Sequence, residues 1–216
     1  PIQVSEPLML SPIELVLSHR IAAGAQGLAP LLAQHYMQVV CLNQTVPNHG
    51  TFELVSVEVD GDWTAIYVKS LSNLKVLNEK AEANGNYNYA GIAKILTAFS
   101  LATATDWWGE VPYKEALKGS ENFTPVYDNQ ESIYEAVQSL LDNGIADIDK
   151  NEGRVPGADD NFYYGDMEKW KKLAYTLKAR YYMHLTKAPG HSAEEQAQLA
   201  LQALENGMQS NADDLK

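Results

Sequence analysis

The stretch Asp128-Asn129-Gln130-Glu131-Ser132-Ile133-Tyr134-Glu135-Ala136-Val137-Gln138-Ser139-Leu140-Leu141-Asp142-Asn143-Gly144-Ile145-Ala146-Asp147-Ile148 decides the fold class. Its apolar residues Ile133, Val137, Leu140, Leu141, Ile145 and Ile148 recur at the 3.6-residue period of a helix with one face against a core. Asp128, with Glu131 three residues on, reads as the helix start.

The same grammar extends outward in both directions. Trp63, Ile66, Tyr67, Leu71 and Leu74 make a stripe that Asn84-Gly85 closes, and Ile92, Ile95, Leu96 and Phe99 make another that Gly109 and Pro112 stop. Trp170, Leu173, Leu177, Tyr181 and Leu185 form a fourth helix, and Ser192 with Glu195 caps a fifth through Ala200, Leu204 and Met208. Nearer the start, Ser11-Pro12-Ile13-Glu14 reads as a helix beginning, interrupted at Gly24–Pro30 and resumed through Leu32, Tyr36 and Val39. Alternating Val55, Val57 and Val59 suggest one short strand. Short connections favour antiparallel neighbours, so the expected class is all-α, helix hairpins stacked side by side, with minor β content in loops. Two long inserts, 109–129 and 151–166, break the regularity, and connections of that length inside a helical domain tend to be functional.

Composition excludes several functions. With 28 acidic against 16 basic residues the formal net charge is -12, which removes the attraction that nucleic acid binding requires. One cysteine, Cys41, makes neither an internal disulfide nor a thiolate zinc site. No apolar run is long enough to span a bilayer. The aromatic set is Tyr 12 and Trp 4 against Phe 4, rings that pack on one face and hydrogen-bond at one atom.

No phosphate loop, dinucleotide fingerprint, zinc-protease pair or nucleophile elbow is present. The five histidines, His19, His35, His49, His184 and His191, are scattered and read as packing or surface residues. Asp159-Asp160-Asn161 with Asp166 offers oxygens to a hard cation, but without the spacing of a calcium loop; no cofactor or metal is expected. Asp106 and Glu110 flank a helix end and are the acids a glycoside hydrolase would use. Between them, Trp107-Trp108 ends the helix. Two adjacent helical residues point about 100° apart, so at least one indole packs; two readings stay open, both buried at the helix junction or one exposed to stack on a sugar ring.

From about Ser11 to the end, the sequence resembles the SusD/RagB-like outer-membrane lipoproteins of Bacteroidetes. Gly91-Ile92-Ala93-Lys94-Ile95-Leu96 and Asp106-Trp107-Trp108-Gly109-Glu110-Val111-Pro112-Tyr113-Lys114-Glu115-Ala116-Leu117 are similar to a helix and turn of that family. So are Trp63-x-x-Ile66-Tyr67 with Leu71-x-Asn73-Leu74, and Thr124-Pro125-x-Tyr127-Asp128-x-Gln130-Glu131-x-Ile133-Tyr134. Tyr164-Gly165-Asp166-x-x-Lys169-Trp170-x-Lys172-Leu173-Ala174-x-Thr176-Leu177-Lys178-x-Arg180 resembles a further segment, with Thr176 where Ser is common.

The resemblance implies tetratricopeptide-like helix pairs in a surface lipoprotein of the outer membrane. Such a protein binds an oligosaccharide and passes it to a SusC-like TonB-dependent porin, without catalysis. It implies that residues 1–216 are one helical domain, the amino-terminal half of a longer protein, and that membrane attachment uses a lipid anchor absent from this chain, since Cys41 lies within a helical stripe. The position of the 43–60 loop is similar to that of a ligand-contacting loop in starch-binding members. Asn48, His49 and Phe52 are therefore the candidate ligand residues there, with Trp107 and Trp108 at the turn. Two other readings stay open: a helical-repeat scaffold for a protein partner, and an α-helical glycoside hydrolase using Asp106 or Glu110.

Overall fold

The computed structural model describes residues 4–22, 28–39, 52, 53, 55 and 59–214. Eight α-helices account for most of them: α1 Glu6–Val16, α2 Leu28–Tyr36, α3 Asp60–Thr64, α4 Ser72–Ala83, α5 Tyr87–Trp108, α6 Gln130–Asp149, α7 Met167–His184 and α8 Ala193–Leu204. Wider π-helical turns extend α1 through Leu17–Ala22 and join α3 to α4 through Ala65–Leu71. The stripe read from Trp63 to Leu74 therefore belongs to one continuous helical run ending at Asn84, where Gly85 turns the chain at φ +69°.

Sequence neighbours pack on one another in order, α4 on α5, α5 on α6, α6 on α7 and α7 on α8. This is the stacked-hairpin arrangement that short connections favour. The closest approach is between α5 and α6. A Cβ at Gly91 would lie 2.6 Å from Ile148 and 2.7 Å from the Gly144 carbonyl, so the two helices meet backbone to backbone where each lacks a side chain. Leu74, Leu77, Ile92, Ile95, Ile133, Val137 and Trp170 fill the core without solvent exposure. Each such aliphatic side chain contributes about 1.5–3 kcal/mol relative to exposure.

Three sequence readings are corrected. Helix α1 begins at Glu6 rather than at Ser11, which places Pro12 inside it. Pro12 leaves the Leu8 carbonyl without its helical donor, and both residues lie on the solvent side. The start is set by tertiary contact: the Asn84 and Asn86 amides donate to the Glu6 carboxylate at 2.6 and 3.0 Å. The cap of α6 is Asn129, one residue after the expected Asp128, and its side chain accepts the Ser132 amide at 2.8 Å. The strand expected at Val55, Val57 and Val59 is not formed at Val55, and Val59 has helical backbone angles. Val57 lies outside the described residues. Among those described, the β content is a single antiparallel bridge between Val111 and Asp128.

Candidate functional site

A groove of about 900 Å³ lies between α5 and α7, within the size range of small-ligand clefts. On α5, Phe99, Thr103, Asp106 and Trp107 recur at helical spacing and face it, opposite Leu177 and Arg180 of α7. Arg180 is exposed, and its guanidinium makes no hydrogen bond or ion pair among the described residues, so it presents its donors to the groove mouth.

Asp106 is fixed in place. The Tyr134 hydroxyl donates to Asp106 Oδ1 and lies 2.9 Å from His184 Nδ1, which is itself 3.4 Å from that carboxylate. Since the phenol's single proton goes to Asp106, its oxygen accepts from His184, whose proton then sits on Nδ1. Burial, then the hydrogen bond to Asp106, pushes Tyr134 well above the ordinary tyrosine range. The cluster joins α5, α6 and α7, and no sequence motif signals it because its members are 28 and 50 residues apart.

Trp107 and Trp108 are both half-buried and play different parts. Trp108 packs edge-on to Trp63 with centroids 5.1 Å apart, and Trp63 stacks on Tyr67 at 4.4 Å. Tyr67 in turn donates its hydroxyl to the Pro112 carbonyl at 3.0 Å, pinning the turn that follows α5. Trp107 meets Trp108 edge-on at 5.5 Å and lines the groove. Phe52 is 68% exposed, lies against Tyr36 at 4.8 Å and does not line the groove. Asn48 and His49 lie outside the described residues.

The acidic segment serves the fold. Asp160 is fully buried; its Oδ1 accepts the Phe162 and Tyr163 amides at 3.0 Å, and its Oδ2 accepts the Gly165 amide and the Trp170 indole N–H at 2.8 Å. Asp159 accepts the Tyr89 hydroxyl at 2.7 Å, and Asp166 caps α7. Among the described residues no cluster of His, Cys, Asp and Glu is arranged to hold a metal. Sequence reasoning missed Glu14. Its carboxyl, wholly buried, receives the Asn161 amides, and burial chiefly, with Asp160 nearby, pushes it up to about 8. Asp106 and Glu110 are both exposed.

The arrangement combines an aromatic edge, an unpaired guanidinium and an anchored carboxylate beside an apolar groove. Among the described residues no helix is long and apolar enough to cross a membrane.

Comparison with known proteins agrees with the helical architecture. Residues 3–216 match the SusD-like family described as "Starch-binding associating with outer membrane". A SusD/RagB family protein from Bacteroides thetaiotaomicron shares 26% identity at a TM-score of 0.86, over 98% of this chain and 44% of that one. A chitin-binding protein of known structure shares 27% identity at a TM-score of 0.79, over 98% and 45%. A chitin-binding SusD homologue from Flavobacterium johnsoniae has the same fold at 21% identity and a TM-score of 0.74, over 97% and 45%. The chain thus spans less than half the length of these structures. No curated protein matches it.

Proposed function

The chain belongs to the SusD-like family, and from that premise we propose that it forms the helical amino-terminal half of a cell-surface glycan-binding lipoprotein. Held at the outer membrane by a lipid anchor, the protein captures an oligosaccharide and passes it to a SusC-like TonB-dependent transporter. It performs no chemistry on the sugar. The observation that carries this reading is the family match over residues 3–216. The 27% identity to a chitin-binding protein supports it.

The groove is consistent with capture. Sugar rings present an apolar face that stacks on aromatic side chains and a rim of hydroxyls that pair with planar polar groups. Trp107 offers the first contact; Arg180 and Asp106 offer the second. Phe52 adds an exposed ring on the connection leading to α3. A partner surface is also supported. Phe123, Val126 and Tyr127 project from the 109–129 connection at 81%, 65% and 57% exposure, an apolar cluster of the kind that meets another protein.

A glycan array on the full-length protein, followed by calorimetry on the best ligand, tests the reading. Trp107→Ala is expected to weaken binding about tenfold, the scale of one lost aromatic stack. Release of reducing ends from that ligand, abolished by Asp106→Asn, would instead establish the hydrolase alternative.

A further inference from the structure

A second cleft, of about 440 Å³, lies on the opposite side of α5 from the groove. Lys94 and Thr97 of α5 face it, whereas Ile95 and Phe99 face the groove; steps of about 100° per residue put the two pairs on opposite sides. Lys75, Lys94, Lys114 and Lys118 all line this cleft, and among the described residues no carboxylate does. That is unexpected in a chain with 28 acidic and 16 basic residues.

Their charges are answered unequally. Lys75 pairs with Glu79, and Lys94 with Glu82 and Asp147. Burial alone would lower Lys94, but those two carboxylates outweigh it and hold it above the ordinary lysine range. Lys114 is 65% exposed and only 3.7 Å from Asp128, a loose pair. Lys118 is exposed and has no ion pair or hydrogen bond through its side chain among the described residues. The cleft also holds neutral polar atoms without partners. Asn78 Oδ1 is buried and accepts nothing, and the Tyr113 hydroxyl makes no hydrogen bond among the described residues.

The turn that carries Lys114 and Lys118 is held in advance. Asp128 Oδ2 accepts the Tyr113 and Lys114 amides at 2.9 Å each, the Val111–Asp128 bridge closes its base, and the Ala116 amide bonds back to the Tyr113 carbonyl. A preformed cationic rim needs little ordering when a ligand arrives. Glu115, the acid within the turn, bonds Asn122 and the Val126 amide.

We infer that this cleft, bounded by Leu74, Asn78, Thr97, Tyr113, Lys114 and Lys118, is a subsite for an acidic sugar, a saccharide carrying a carboxylate or a sulfate. The inference rests on the capture reading and adds the chemistry that the captured glycan carries. Lys114 and Lys118 meet the anion, and Asn78 with Tyr113 meets hydroxyls of the same ring.

The test is calorimetry on the full-length protein with four probes: galacturonate oligosaccharides, sulfated galactose oligosaccharides, and the neutral maltooligosaccharides and chitooligosaccharides. At least one acidic probe is expected to bind tighter than both neutral ones, and the uronate and sulfate arms tell which anion is read. That binding is expected to weaken about tenfold in the Lys114→Gln/Lys118→Gln variant and to fall with added salt, as exposed charges are screened within about 8 Å at physiological ionic strength. Both lysines are exposed, so the variant is expected to fold; its melting temperature checks this. Neutral probes binding as well as acidic ones, or a folded double variant with unchanged affinity, would overturn the subsite and leave capture standing. Failure of every saccharide to bind would overturn both.

Discussion

In the 151–166 connection Asp160 is fully buried and takes four donors, the last of them the indole of Trp170 at the centre of the core. In the 109–129 connection Asp128 keeps 12% of its side-chain surface exposed and takes two amides. Both carboxylates fold a loop by collecting N–H groups, yet the outcomes differ. Around Asp160 the chain is drawn inward, and Gly165 adopts φ +82° to bring its amide to the carboxylate. Around Asp128 only the base is fastened, and Lys114, Lys118, Phe123, Val126 and Tyr127 stand out in solvent. A long insert in a helical stack is thus either a piece of core or a presentation device, and the depth of its anchoring acid tells which.

The largest break in this contrast is expected from Asp160→Ala. It strands buried donors, each worth about 1–3 kcal/mol, so urea denaturation is expected to show a loss of about 3 kcal/mol or more. A loss below 1 kcal/mol would mean that the loop does not depend on this carboxylate. Asp128→Ala removes two half-exposed bonds, and the expected loss is about 1–2 kcal/mol. It is also expected to weaken any anion binding at Lys114 and Lys118, since their turn is no longer preset. Unchanged affinity in that variant would show that the turn keeps its shape without Asp128.

The remaining effect is a pH dependence and concerns Glu14, which joins α1 to the buried insert through Asn161. Its carboxyl is raised from 4.5 to about 8, chiefly by burial, so folding takes up a proton between those values. The stability it supports is complete below 4.5 and declines as pH rises through 8. Glu14→Gln keeps the acceptor for Asn161 without the charge. The variant is therefore expected to gain on the parent as pH rises from 5 to 8.5, losing that part of the pH slope. Parallel stability profiles from pH 5 to 9 would contradict a protonated Glu14.

Much of the helical order is legible in the residues themselves. The apolar periods of α5, α6 and α7, Gly109 after Trp108, and Ser192 before α8 are local signals, and each element forms where its signal lies. The start of α1 is not legible, because Glu6 is held by Asn84 and Asn86 from far along the chain and that contact overrides the local cue at Ser11. At the site, Trp107 and Trp108 are visible in sequence but their division of labour is not. Which indole joins Trp63 and which meets the groove depends on how α5 is rotated against its neighbours. Asn48 and His49 lie outside the described residues, and Phe52 stands against Tyr36 away from the groove.

The sequence by itself determined the all-α class and the resemblance to SusD-like proteins, because period and motif are sums over local chemistry. Tertiary structure alone decided where charge gathers. Lys75, Lys94, Lys114 and Lys118 lie on α4, α5 and the following turn, and no spacing along the chain records that helix packing brings them to one cleft, with Glu79, Glu82, Asp147 and Asp128 answering three of them from outside its lining. Likewise, Asp160, which in sequence is one of a group of candidate oxygen donors, becomes an interior anchor, because the fold surrounds it with enough N–H donors to offset its desolvation.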